Sequence, residues 1–536
     1  MHDDEHAGIS AFINKSTDKW ERNALMLAVG ALVPLENGRL GKSWKHADKL
    51  KELAEQLVLD PSKTLPLEDY WSAHCLQDNE HGESSRPSSS SHGSTDKHRA
   101  RVASYGMESV PLGLSSHHPA LALPTSIFTF GPLLFPLYKA ALLRKRILLM
   151  HQAPVELACN FVYNISILSN IPSSVADLIP LEPLPTRLQP LFSVGVHDID
   201  ELSGKGHSRE DMTDPGFGWI ACSTDDVLAI KTDIYDILVN IPPEHTNQAK
   251  QKIWPQIKTA AGQELKASQR DLRRYRTLRH SIEQHFPNDT SVFRPSSQSK
   301  DPADLDHDTD HETEALIPHI DSFDDTSSTN EDHLTEPTSW SALAYNSFMW
   351  WASAGEKTGG LEDEIEHDAS MFRDFNPSYA DTPGSTTQQR RRSSTTLLST
   401  GPGLSLVDNN TNTAAPEMAI IAFFHRLTAN IFVTISQAVE HASERNEAER
   451  NESETNNNQE REEGGAAAGS DETAILDEDD TPPPTVYITG DDLVRMGLDV
   501  WSEADKKFVA ELVELYWGRK ADVQGGTIEC CGVRII

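Results

Sequence analysis

Residues 23–34 (NALMLAVGALVP) are apolar at nearly every position, which predicts a strand buried on both faces. After a turn at Asn37-Gly38, the residues Trp44, Ala47, Leu50, Leu53, Ala54, Leu57 and Val58 recur at helical spacing and predict an amphipathic helix to residue 59. The most apolar stretch is 121–150, and hydropathy alone would read it as a membrane span. Pro124, Pro132 and Pro136 break any single helix there, and Lys139 would sit at mid-bilayer at a cost of about 2.5–3.5 kcal/mol. The expectation is therefore a strand over 126–131, a helix over 133–145, a strand over 146–151 and a helix over 155–168, with no transmembrane segment.

Farther along, 218–226 and 227–239 read as strand-like or mixed segments, with Asp225 between them as a turn or cap residue. The stripe Ile257, Ala261, Leu265, Leu272, Tyr275, Leu278 and Ile282 predicts a basic amphipathic helix over 257–286, with Arg270, Arg273 and Arg274 off the stripe. Segments 340–354, 417–442 and 491–518 are apolar at helical intervals. The last third is thus expected to be mainly helical.

Four stretches, 78–106, 288–338, 355–416 and 441–484, are rich in Ser, Asn, Asp, Glu, Gly and Pro and poor in apolar residues. Such composition predicts disordered insertions. They also hold most of the charge. The 536 residues carry 82 acidic against 47 basic side chains, a net −35, of which 288–382 contributes −18 and 441–480 contributes −11. A chain this acidic repels a polyanion, so nucleic acid is not an expected partner.

Chemical motifs are scarce. Gly41-Lys42-Ser43 lacks the upstream glycine of a phosphate loop, since Glu36 stands at that position. Five cysteines without paired spacing fit neither a disulfide framework nor a zinc site and indicate a reducing compartment. The histidines, such as His117-His118 and His307/His311, fall in polar sequence and read as solvated loop residues. The acidic start, Met1 to His6, lacks the features of a secretory or transit leader, so the expected location is cytoplasmic. No catalytic residue, cofactor or metal ligand is expected.

The candidate contact residues are cationic. Arg144, Lys145 and Arg146 could meet an acidic partner or lipid head groups, or simply complement a helix C-terminus. Arg270, Arg273 and Arg274 could lie on a membrane surface, bind the neighbouring acidic linker in cis, or form a solvated face. Ser393 and Ser394 follow Arg390-Arg391-Arg392 and are phosphorylation candidates.

Three segments carry a family resemblance: 22–47 (RNAL through LGKSWKHA), 130–148 (FGPLLFPLYKAALLRKRIL) and 218–225 (GWIACSTD), with the ending 528–535 (IECCGVRI). Together they resemble the DENN-domain superfamily, and their order is similar to its fungal LCHN-like branch, related to the late-secretory-pathway AVL family. The resemblance implies a partial longin-like α/β module at 1–76, a disordered linker at 77–106, and a central α/β DENN module at 107–286. An acidic linker at 287–339 and a helical region at 340–536 would follow, the latter with insertions at 355–416 and 441–484. Only about 22 residues precede the RNAL strand, fewer than the family has, so the chain looks truncated there and an exposed sheet edge is expected.

The resemblance further implies regulation of a Rab-type small GTPase in membrane traffic, as a guanine-nucleotide exchange factor that needs no cofactor and makes no covalent bond. A non-catalytic trafficking adaptor, or a peripheral membrane or lipid-droplet scaffold, is the alternative. The implied setting is cytoplasmic, peripheral on Golgi, endosomal or vesicle membranes.

Overall fold

In the strand pair that opens the chain, side chains of alternate residues point to opposite faces, and only one face has something to pack against. Strands β1 (His2–Asp3), β2 (His6–Ser16) and β3 (Ala24–Pro34) form an antiparallel sheet, with β2 and β3 in register from His6↔Pro34 to Ser16↔Ala24. Helix α1 (Ala47–Leu59) lays Leu50, Leu53, Ala54 and Leu57 on Val29, Leu27, Ala31, Ile9, Ala11 and Ile13. On the other face Phe12, Met26 and Leu32 stay exposed, so β3 is half-buried and not covered on both sides as its composition suggests. Its outer edge is unpaired among the described residues. Helix α2 (Leu65–His74) completes this part of the chain.

The computed structural model describes residues 2–3, 6–16, 24–34, 39–75, 114, 117–180, 186–203, 218–243, 252–286, 331–340, 342–344, 347, 359–373, 415–463, 484–526, 529–530 and 533–534. They fall into two compact units, 1–121 and 122–536. The expected linker 78–106, most of the insertions, the histidines His307 and His311, and the candidates Ser393 and Ser394 lie outside the described residues.

The second unit is built on a mixed sheet. Its elements run α3 (Leu123–Phe130), α4 (Leu134–Leu142), β4 (Ile147–Met150), α5 (Glu156–Leu168), α6 (Ser173–Ala176), β5 (Gln189–Ser193), α7 (Ile199–Leu202), β6 (Trp219–Ser223), α8 (Asp226–Ile230), β7 (Ile237–Asn240) and β8 (Gln256–Thr259). The strand order is β5-β6-β4-β7-β8, the first four parallel and β8 antiparallel at the edge. Asp225 caps α8 as expected, accepting a hydrogen bond from the Val227 amide.

Two expectations near this sheet are corrected. Residues 126–131 are helical, not extended, because each proline falls where a helix tolerates it. Pro124 opens α3, Pro132 opens a 3-10 turn, and Pro136 lies in the first turn of α4. The chain breaks instead at Gly131, whose φ of 56° is left-handed and whose missing Cβ leaves room for the Trp254 ring.

The basic helix is also shorter than its stripe implies. Residues 256–259 are strand β8, and α9 (Gln269–His285) starts only at Ser268. There Ser268 and Asp271 form a reciprocal capping box that fixes the helix start.

Three stretches expected to be disordered contain structure. A 3-10 turn, Asp332–Leu334, sits beside the Ala267↔Thr335 bridge. Helix α10 (Gly359–Arg373) buries Asp368, Met371 and Phe372, and helix α11 (Pro416–Glu463) runs on through 441–463. Acidic composition hides the short apolar stripe of α10, which is covered only by distant partners: Phe372 stacks on Phe423 at 5.1 Å.

The remaining elements are β9 (Val486–Ile488), α12 (Gly490–Arg495), α13 (Glu503–Trp517), β10 (Ala521–Val523), parallel to β9, and the hairpin of β11 (Glu529–Cys530) with β12 (Val533–Arg534). The C-terminal helices complete the core of the sheet-bearing unit. Phe424 of α11 stacks on Phe135, Tyr138 and Thr428 share a hydroxyl hydrogen bond of 2.7 Å, and the Tyr516 hydroxyl donates to the Leu142 carbonyl.

By length and hydropathy, Pro119–Leu142 and Pro416–Ala448 could each cross a membrane. Most of both is buried against protein, and the first is interrupted at Gly131.

Candidate functional site

Helix α9 holds five arginines in 17 residues, and their spacing puts Arg270, Arg273 and Arg274 within one turn. The structure turns these cations inward. Arg270 grips Asp368 of α10 through two parallel bonds of 2.6 and 2.9 Å, and Arg274 reaches the same carboxylate at 3.4 Å. The second guanidinium nitrogen of Arg274 donates to the Gly497 carbonyl at 2.5 Å. Arg273 pairs with Glu364 at 3.1 Å. On another side, Arg276 pairs with Glu331 and Asp332, at the end of the first acidic insertion.

Exposure shows which way these charges face. Arg274 is 0% exposed, Arg270 3% and Asp368 1%, so these charges face protein. Arg270, Arg273 and Arg274 meet carboxylates of α10, whereas the neighbouring acidic linker supplies Glu331 and Asp332 to Arg276. Burial alone would raise the Asp368 carboxyl, but the guanidiniums of Arg274 and Arg270 outweigh it and hold the group below its usual range.

A second buried node lies at the N-termini of α9 and α13. Lys139 of α4 donates to both oxygens of Asp271, at 3.0 and 2.8 Å, and to Asp505 at 2.5 Å. Each carboxylate is the third residue of a helix capped by serine: Asp271 accepts from the Ser268 amide, and the Asp505 amide donates to Ser502. One ammonium therefore ties two helix starts to α4. Burial would lower the pKa of Lys139, yet the two carboxylates raise it above its usual value. One cation cannot neutralise two anions, and burial keeps the Asp505 carboxyl raised.

The triplet after α4 is also engaged within the fold. Arg144 is buried in the left-handed conformation and donates to the Ala141 carbonyl of the last helical turn, the capping role its position allows. Lys145 pairs with Glu511 at 2.8 Å, and Arg146 with Asp236 at 2.8 Å. Lys145 and Arg273 retain partial side-chain exposure.

Sequence reasoning missed Lys139, Asp271, Asp368 and Asp505 as partners. The available signals were Ser268-x-x-Asp271 and Ser502-x-x-Asp505, both capping patterns, and a lysine inside an apolar run that demands an internal counter-ion.

Lys252 is a further, partly buried cation. Its ammonium lies 3.5 Å from the Trp254 ring centre and 3.9 Å from that of Phe128, and donates to the Phe128 carbonyl. Beside it is a groove of about 290 Å³ lined in part by Leu133, Trp254, Glu264, Leu265 and Leu334. Burial pushes its pKa down to about 7, against a smaller upward pull from Glu331.

An unfolded lysine titrates near 10.4, so between these values the unfolded chain holds the extra proton and stability rises with pH. Lys252→Met is expected to remove this rise. The difference in urea unfolding free energy, wild type minus variant, should grow from pH 7 to pH 9 by up to about 1.4 kcal/mol per pH unit.

Among the described residues, no group of three or more His, Cys, Asp or Glu could hold a metal ion.

The described residues thus form a mixed α/β core with a helical C-terminal part, stitched by internal ion pairs. Residues 1–251 match the family model of DENN domain-containing protein 11, and residues 335–536 match a domain of unknown function, DUF4484. Over residues 1–251 the chain is similar to the DENN-domain superfamily, whose members generally regulate Rab GTPases in membrane traffic.

It is 31% identical over 158 residues to Uncharacterized protein ANR2 of Saccharomyces cerevisiae, covering 29% of this chain and 28% of that protein. DENN domain-containing protein 11 of Xenopus laevis is 34% identical over 123 residues, 23% of this chain and 25% of that protein. The Mus musculus protein of the same name is 32% identical over 124 residues, 23% and 24% of the two chains. The matched stretches span less than a third of the length of these relatives. No solved structure matches.

Proposed function

We propose that this chain regulates a Rab-type small GTPase by promoting GDP release, as a member of the fungal LCHN-like branch of its superfamily, at the cytoplasmic face of Golgi, endosomal or vesicle membranes. The match of residues 1–251 to DENN domain-containing protein 11 carries the proposal. An exchange factor works by binding the nucleotide-free GTPase more tightly than the GDP form, which opens the switch loops over phosphate and Mg²⁺. Such catalysis asks for a shaped surface and no reactive group.

One surface suits that task. At the carboxyl edge of the parallel strands, Val196 follows β5 and Val227 and Ile230 follow β6, exposed by 41%, 45% and 78%. β5 and β6 are neighbours, and partners of open α/β sheets gather at this edge. Exposed aliphatic side chains favour a protein partner. Lys145 and Arg273, the most exposed of the candidate contact cations, are where charge reversal would touch an acidic partner.

The test is release of fluorescent GDP from a panel of Rab GTPases. Acceleration of at least tenfold on one of them, reduced by Ile230→Asp, is the expected result. No acceleration on any GTPase, with preferential binding to a GTP-loaded one, would replace the exchange factor with an adaptor.

A further inference from the structure

Helix α5 packs across β5 and β6, and this sets Cys159, in the first turns of α5, against Cys222 of β6. Their Sγ atoms are 3.7 Å apart. That is contact distance for two sulfurs, and a closing movement of roughly 1.7 Å would reach the length of a disulfide bond. The two thiols differ in access. Cys222 is wholly buried, whereas Cys159 is partly exposed.

We propose that Cys159 and Cys222 form a redox-active dithiol, in which Cys159 reacts with a peroxide and Cys222 then closes a disulfide that fastens α5 to β6. The two sites divide the chemistry between them. The hydrogen bond with Cys222 lowers the Cys159 thiol towards the reactive thiolate, and the same bond together with burial raises Cys222. Accessible thiolate character is what selects a cysteine for oxidation.

With hydrogen peroxide as oxidant the steps balance. The Cys159 thiolate attacks one peroxide oxygen, the O–O bond breaks, and hydroxide leaves to take up the thiol proton as water. Cys159 becomes a sulfenic acid. The Cys222 sulfur attacks the Cys159 sulfur, the S–O bond breaks, and the hydroxyl departs with the Cys222 proton as a second water. Two thiols are oxidised by one electron each, and the peroxide is reduced by two. A dithiol reductant reverses the bond by exchange.

The full chain is treated with hydrogen peroxide under native conditions, blocked with an alkylating agent and digested with trypsin. The expected product is a reducible cross-link between peptides 147–187 and 210–231, with two fewer free thiols per chain. Cys159→Ser should abolish it. Cys222→Ser should leave a sulfenic acid on Cys159 that dimedone captures, a readout independent of whether the pair closes. Dithiothreitol should return both thiols.

Two unmodified peptides at peroxide levels that oxidise free cysteine would overturn the proposal. So would Cys159 oxidised to sulfinic acid with Cys222 free, or a bond from Cys159 to Cys75, Cys530 or Cys531.

Discussion

Lys139→Ala is expected to destabilise the sheet-bearing unit by about 3–5 kcal/mol, read as a fall in the urea midpoint. Lys139 is 8% exposed and its ammonium is shared by Asp271 and Asp505, both at 1%. Removing it leaves two buried carboxylates facing each other with no cation, which costs more than the loss of one pair on a surface. The pH dependence carries the sign of this explanation. Burial already raises the Asp505 carboxyl against the pull of Lys139, so without the ammonium it rises further.

An acid whose folded pKa exceeds its unfolded value loses stability as pH climbs through the folded value. The penalty should therefore be largest near neutrality and shrink as pH falls towards about 4. Lys139→Met restores the stem without the charge. It should keep this pH dependence, while a purely steric defect would be repaired by Met at every pH.

Asp368→Ala is expected to cost a similar 3–5 kcal/mol and to free α10. Asp368 pairs with Arg270 and Arg274 at once; without it both stay buried, Arg270 facing Glu364 at 3.4 Å and Arg274 the Gly497 carbonyl. Limited proteolysis should then cut within 359–373, where the wild type resists. A variant that also replaces Arg270 and Arg274 by methionine should recover part of the loss, because apolar residues of similar volume substitute well for a buried ion pair. Additive losses in this cycle would mean that the three charges do not act together.

What could be read from the sequence follows the range of the interactions involved. Helix α1, strand β4 and helix α5 are legible because their periodicity is local: Leu50, Leu53, Ala54 and Leu57 mark one face whatever lies opposite. The cap at Asp225 is legible for the same reason. The start of α9 was also written locally, in Ser268-x-x-Asp271, but an apolar stripe running back to Ile257 outweighed it.

Helix α10 was not legible. Its burial depends on Phe423 and on arginines 94 and 98 residues earlier in the chain, and acidic composition points towards disorder until those partners are known. The cationic site shows the same limit. The sequence identifies Arg270 and Arg274 as charged and off the stripe, but direction depends on Asp368, which the sequence places in an insertion.

The central claim is that the basic helix α9 holds α10, from within an acidic insertion, as part of the folded unit. Hydrogen–deuterium exchange over residues 359–373 in the full chain tests it directly. Protection approaching that of residues 269–285, weakened across 359–373 by Asp368→Ala, is the predicted result. Exchange of 359–373 at the rate of an unstructured peptide in the wild-type chain would contradict the account.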